Sequence, residues 1–158
     1  MAIKGGKDII DALNDVLTGE LTAINQYFLH AKMFENWGYS RLASLTRAES
    51  IDEMKHADEL IERVLYLDGI PNVQRMSKIR IGENPREMFE SDLKLEQDAI
   101  PRLNTAIELC RDQSDNGTRA MLERILTSEE EHLDWLETQL GLMDQLGEQA
   151  YLAEQLHA

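Results

Sequence analysis

The sequence predicts an all-α protein, a bundle of four long helices followed by a short fifth one. Three observations lead there. Helical periodicity runs through four segments of roughly 25–30 residues, each about 40 Å long at the α-helical rise. Strand signals are nearly absent. The connections between the long segments alternate short, long, short.

The first helix is read from about Asp8 to Trp37, a stretch without proline or turn cluster that Gly38 closes. Ser40 is expected to cap a second helix running to about Asp68, where Gly69 and Pro71 in DGIPN break it. VQRMSKIRIGEN is the one long stretch without helical periodicity. Asn84-Pro85 is an N-cap followed by proline at the first helical position, so a third helix begins there and continues to about Arg111. Pro101 lies inside it and is expected to remove a backbone hydrogen bond and bend the helix. DQSDNGT is a loop, and a fourth helix runs from about Thr118 to Leu140 or beyond. GEQAYLAEQLH, after Gly147, is the short fifth. Some fifteen residues join helices two and three, enough to run back along the bundle. Two antiparallel hairpins with one long crossover give the ferritin-like topology.

Composition narrows the function. At 158 residues the chain is expected to form one domain, residues 1–158, able to bury a core without disulfides or structural zinc. No apolar run approaches the ~20 residues of a membrane span. MAIKGGKDII lacks the apolar core of a signal peptide and Cys110 has no partner cysteine, so a reduced cytoplasmic setting is expected. A net charge of −14 argues against nucleic acid and anionic membranes as partners, and for cations.

The helical faces carry the chemistry. Around Glu53, the residues Leu42, Thr46, Glu49, His56, Leu60, Val64 and Leu67 fall within about 40–60° at 100° per residue. Glu53-x-x-His56 therefore lies on the face that must point into the bundle. The fourth helix repeats the pattern with Glu129-x-x-His132 on the face of Leu122, Ile125, Leu136 and Met143. Each remaining helix places one acid among apolar residues: Glu20 with Leu13, Val16, Tyr27 and Phe34, and Glu96 with Phe89, Leu93, Leu103 and Ile107. The step from Glu20 to Glu96 is 76 residues, and so is the step from Glu53 to Glu129. One Glu-x-x-His is commonly a chance i, i+3 pair, and one buried Glu is commonly a partnered structural charge. Six such residues at symmetric spacing on four inward faces, with no Lys or Arg on those faces at that level, predict a centre for two divalent cations. Four carboxylates balance their charge, and an oxygen-rich set with two imidazoles suits iron or manganese better than structural zinc. This is the di-iron ligand pattern known for ferritin-like bundles.

GELTAINQYFLHAKMFENWG, ESIDEMKHADELIERVLYLDGIPN and EEEHLDWLETQL resemble signature stretches of the bacterioferritins, the haem-containing bacterial ferritins, and the resemblance covers nearly the whole chain. It implies a cage of twenty-four identical subunits that oxidises Fe²⁺ with O₂ or H₂O₂ and stores the ferric mineral inside. By residue it implies iron ligands at Glu20, Glu53, His56, Glu96, Glu129 and His132, two irons per subunit, with Glu53 and Glu129 bridging. It also implies haem b, one per subunit pair, held across a twofold interface by Met54, with a small [2Fe-2S] ferredoxin delivering electrons for iron release. The fifth helix is similar to the segment that lines the cage's fourfold axis.

On its own sequence context Met54 reads better as a packing residue than as a ligand. It points about 130° away from the metal face, on a stripe with Ala43, Ser50, Ala57, Ile61 and Leu65. The resemblance turns that reading toward a thioether ligand. Tyr27 reads as core, with a hydrogen bond to a metal carboxylate or a role as electron source as further expectations. Glu49, one turn before Glu53, is expected to be a transient iron site on the cavity side. The family often has a histidine near there, where this chain has Ala48. His30 and His157 have no acidic partner evident from sequence, and Trp37 and Trp135 read as packing residues. Three rivals remain. The single cysteine argues against a rubrerythrin fused to a Cys-rich rubredoxin. A DNA-shielding mini-ferritin places its metals between subunits, and a shell without an oxidation centre would not need all six ligands.

Overall fold

The computed structural model describes residues 5–157. Residues 1–4, part of the N-terminal stretch discussed above, and residue 158 lie outside the described residues. Five helices form: α1 Lys7–Trp37, α2 Ser40–Tyr66, α3 Pro85–Asp112, α4 Asn116–Leu146 and α5 Glu148–Ala153. No strand occurs among the described residues. α1 pairs with α2 and α3 with α4, and the two hairpins pack together through α1 against α3 and α2 against α4. This is the two-hairpin, long-crossover arrangement expected from the connection lengths.

The helix ends show local sequence at work. α1 stops where Gly38 turns left-handed, φ 89°. Gly38 N donates to Glu35 O and Tyr39 N to Phe34 O, the bond pair of a Schellman stop. The expected Ser40 cap is not formed. Tyr39 occupies the N-cap position without a side-chain bond, because α2 begins one residue earlier than a serine cap requires. The C-terminal segment compensates in part, with Gln155 O accepting from Arg41 N at 3.1 Å. Asn84 does cap α3, its side chain accepting from Glu87 N at 3.0 Å, with Pro85 first in the helix. α4 starts two residues before Thr118, because Asp115 caps it by accepting from Thr118 N. α3 continues without interruption through Pro101, which sits on the exposed face.

Two apolar clusters fill the bundle. One gathers Leu13, Leu17, Leu60, Val64, Leu103 and Ile125. The other holds Phe34, Leu42, Met88, Phe89, Leu136 and Tyr151, with α5 packed on it. Between them, at matching heights on four helices, lie the buried carboxylates Glu20, Glu53, Glu96 and Glu129.

The crossover between α2 and α3 is held by one polar face of α1. Asn14 donates to Ile70 O and accepts from Asn72 N. Thr22 accepts from Ser77 N, Gln26 from Arg80 N, and His30 Nε2 from Gly82 N. His30 is thus not without an acidic partner: it is fully buried, with Nδ1 2.8 Å from Asp92 Oδ1 on α3. Because Nε2 accepts, the proton of a neutral ring sits on Nδ1 and is donated to Asp92. Gln26 Nε2 donates to the same oxygen at 2.8 Å. Gly82 is required there, since a Cβ would lie 2.3 Å from Met88 N. His157 is exposed, as expected.

Candidate metal centre

The helices position the six predicted residues around one buried point, each on the inward face of its helix. Glu20, Glu53, His56 and Glu129 each present one ligand atom, and these atoms lie within 4.8 Å of one another. His56 Nδ1 lies 3.0 Å from Glu129 Oε1, 3.6 Å from Glu53 Oε2 and 3.8 Å from Glu20 Oε2. Glu96 and His132 complete the group from α3 and α4, with His132 Nδ1 3.0 Å from Glu96 Oε1. Tyr27 OH donates to that same Glu96 oxygen, and the Tyr27 ring meets His132 edge-on with centroids 5.1 Å apart.

Among the described residues, four buried side-chain atoms have no hydrogen-bond partner: Glu53 Oε2, His56 Nδ1, Glu96 Oε2 and Glu129 Oε1. His56 Nδ1 and Glu129 Oε1 are close but outside hydrogen-bonding geometry, so they converge on a point rather than bond each other. A buried acceptor without a partner costs on the order of 1–3 kcal/mol, more when charged. Such atoms clustered in a protein core mark a cation site more economically than a defect.

Protonation follows from crowding. Burial raises the Glu53 carboxyl, with His56 and Glu129 pulling it part of the way back. Burial and then Glu129 lift Glu96 to about 8, and burial and then Glu53 lift Glu129 to about 7. Burial pulls both imidazoles down, but the neighbouring carboxylates outweigh it. Glu129 and Glu53 bring His56 to about 10, and Glu96 brings His132 to about 9. Burial, then Glu96 and Asp92, keep the Tyr27 hydroxyl protonated and therefore a donor. The group is a set of anionic oxygens sharing protons, which divalent cations would displace.

Two openings reach it. A cavity of about 120 Å³ lies under the crossover between α1 and α3, with all four carboxylates in its wall together with Gly19, Lys78, Arg80 and Arg102. None of these cationic side chains pairs with the six residues, but their presence beside the site was not expected from the helical faces. A second cavity, about 260 Å³, lies between α2 and α4 and is lined by Ala48, Glu49, Asp52, Glu131, His132 and Trp135. Glu49 stands in it half-buried, Oε2 3.6 Å from His132 Nδ1, its carboxyl raised by burial and partly restored by His132.

Trp135, read as packing, also stacks on His132 with planes 23° apart. The pattern of i, i+3 neighbours on α4 could have pointed to it. Met54 is 54% exposed on the outside of α2, facing away from the centre as expected. Its stripe is different from the one read from sequence. Ser50 and Ala57 are buried, Ser50 donating to Ile24 O on α1, and the exposed apolar neighbours of Met54 are Ile51 and Leu65. The wheel placed them correctly in angle but not in depth, because α1 overlaps that flank of α2.

Comparison with known proteins agrees with this geometry. A ferritin-like domain model matches residues 10–146. Bacterioferritin BfrA of Mycobacterium tuberculosis (strain H37Rv) is 54% identical over 152 residues, covering 96% of each chain. The bacterioferritin of Streptomyces coelicolor is 50% identical, covering 96% of this chain and 90% of its own. That of Brucella melitensis is 45% identical, covering 94% and 92%. With that identity over nearly its full length, and a buried Glu/His cluster on the four helices of a two-hairpin bundle, the chain belongs to the bacterioferritins of the ferritin-like family.

Proposed function

We propose that this chain is an iron-storage subunit whose residues 1–158 form a single ferritin-like domain with ferroxidase activity. Glu20, Glu53, His56, Glu96, Glu129 and His132 bind two Fe²⁺ ions as substrate, Glu53 and Glu129 being shared between them. The observation that carries this is the closeness of one ligand atom each from Glu20, Glu53, His56 and Glu129, within 4.8 Å of one another, in a core that also holds carboxylate and imidazole atoms without a partner. Fe²⁺ displaces the protons that His56 and His132 otherwise hold, so binding strengthens as pH rises. The two irons give one electron each. With H₂O₂ the two electrons and two protons yield two waters, and with O₂ they yield H₂O₂. Carboxylates stabilise the ferric charge more than the ferrous, which drives the oxidation. Tyr27, hydrogen-bonded to Glu96, fixes the direction of that ligand. Glu49, at the α2–α4 opening, receives iron leaving the centre.

Twenty-four copies form the cage, with α5 at its fourfold axis, in the cytoplasm. No described helix is long and apolar enough to cross a membrane. Met54 suits haem b at an interface between two subunits, because it is a soft thioether on an exposed flank beside Ile51 and Leu65. Haem there supplies one-electron transfer from a [2Fe-2S] ferredoxin to the stored mineral. Stopped-flow iron oxidation of Glu20→Ala, Glu96→Ala and His132→Ala tests the centre. Each should lose rapid oxidation while circular dichroism stays helical. Wild-type rates in all three would refute the assignment.

A further inference from the structure

The opening under the crossover sets three cationic side chains beside the carboxylates of the metal centre. The molecule carries 30 acidic and 16 basic residues, yet Lys78, Arg80 and Arg102 line this one small cavity. Among the described residues, none of their side chains forms a hydrogen bond or ion pair. Asp98 shares the wall but is engaged by Lys94 at 3.0 Å. Arg102 is half-buried, and its guanidinium lies over the bare backbone of Gly19: a Cβ there would lie 2.3 Å from Nη1 and would push the guanidinium aside. The α2–α4 opening has the reverse character, with Glu49, Asp52 and Glu131 and no Lys or Arg in its lining.

We propose that the α1–α3 opening is an oxyanion site, in which Arg102, Lys78 and Arg80 hold inorganic phosphate beside the metal centre. The proposal rests on the ferroxidase reading above. The charge balance explains why an anion belongs there. Once two divalent ions neutralise Glu20, Glu53, Glu96 and Glu129, the wall keeps three cations and Asp98, an excess of two positive charges that a phosphate dianion cancels. Guanidinium groups suit this ligand because their N–H donors match the spacing of its oxygens. The cavity has room on the order of four water volumes, enough for a tetrahedral oxyanion. Phosphate thus sits against the cationic side chains of this opening, and iron exchanges at the α2–α4 opening, which has no Lys or Arg in its lining.

The assembled protein, loaded with redox-inert Zn²⁺ and freed of excess metal, is titrated with radiolabelled inorganic phosphate at constant ionic strength in chloride. One phosphate per chain is expected. Arg102→Gln and the pair Lys78→Gln with Arg80→Gln should each weaken binding at least tenfold, the scale of one lost charge-assisted contact. Gly19→Ala separates this from misfolding. It favours the helix by its propensity while pushing the Arg102 guanidinium aside, so a protein at least as heat-stable should bind phosphate more weakly. Zinc bound at two per chain with no phosphate uptake, or with equal uptake in all variants, would overturn the oxyanion site alone. Failure to bind zinc would overturn the metal centre, and the oxyanion site with it.

Discussion

Glu96→Gln should make the metal-free protein more stable at alkaline pH while destroying its metal site. The substitution keeps the shape of the side chain and an oxygen for Tyr27 to donate to, and removes only the charge. Burial, reinforced by Glu129, raises the Glu96 carboxyl from 4.5 to about 8. A carboxyl raised in the folded state contributes its full stability below pH 4.5, and that contribution is lost as pH climbs through about 8. The gap corresponds to roughly 5 kcal/mol of cost above pH 8. The value of about 8 already includes the opposing pull of His132, so losing that partner subtracts nothing further. The gain at pH 9 is on the order of 5 kcal/mol, or about 10–20 °C in midpoint for a domain of this size. Calorimetry of chelator-treated wild type and variant at pH 5, 7 and 9 should show the gain growing with pH and near zero at pH 5. Added Zn²⁺ should raise the midpoint of wild type by linkage and leave the variant nearly unmoved. A variant less stable than wild type at pH 9 would show that Glu96 is a satisfied structural charge, and the reasoning from unpartnered donors would fail.

Light scattering should report a particle of several hundred kilodaltons, and a stable monomer or dodecamer would exclude the proposed cage. Met54→Leu keeps volume and apolarity but removes the soft donor, so it should assemble and oxidise Fe²⁺ near the wild-type rate. Its visible spectrum should lack haem bands, and it should release iron slowly to reduced ferredoxin; full haem occupancy would exclude a Met54 ligand. His30→Ala should cost about 3 kcal/mol or more in denaturant unfolding, because it opens a cavity and strips a donor from Asp92 and an acceptor from Gly82; a loss under 1 kcal/mol would show that this network is not structural.

The site was more legible in sequence than its surroundings. Helical period and equal spacing sufficed to place Glu20, Glu53, His56, Glu96, Glu129 and His132 on inward faces, because an inward face is a local property of each helix. The Asn84-Pro85 start and the Gly38 stop were legible for the same reason. The partners of His30 were not. They lie 52 and 62 residues away, on a crossover and a helix whose approach no local pattern encodes. Arg102 escaped notice likewise. It lies off the metal face of α3, and its reach over Gly19 depends on how closely α1 and α3 approach. The flank of Met54 was misjudged because a helical wheel gives direction without the depth of a neighbouring helix.

The polar face of α1 that grips the crossover also decides how the loop unfolds. From Asn14 to His30 the helix advances about 24 Å at 1.5 Å per residue. The twelve residues from Ile70 to Gly82 follow it at about 2 Å each, well short of full extension. The loop carries slack in length, and its register is dictated by side chains outside it. Its amides turn toward the helix, and Met76 Sδ accepts from Thr22 and Asn25 there, while Ile70, Val73, Ile79 and Ile81 remain exposed. A segment without secondary structure would ordinarily open on its own, far below the free energy of global unfolding. Here its far end is fastened to α1 and α3 at once through His30 and Asp92. Peeling it away strips the donor from His30 Nε2 inside the His30–Asp92 link between the two hairpins, which couples this loop to the helices around the metal centre.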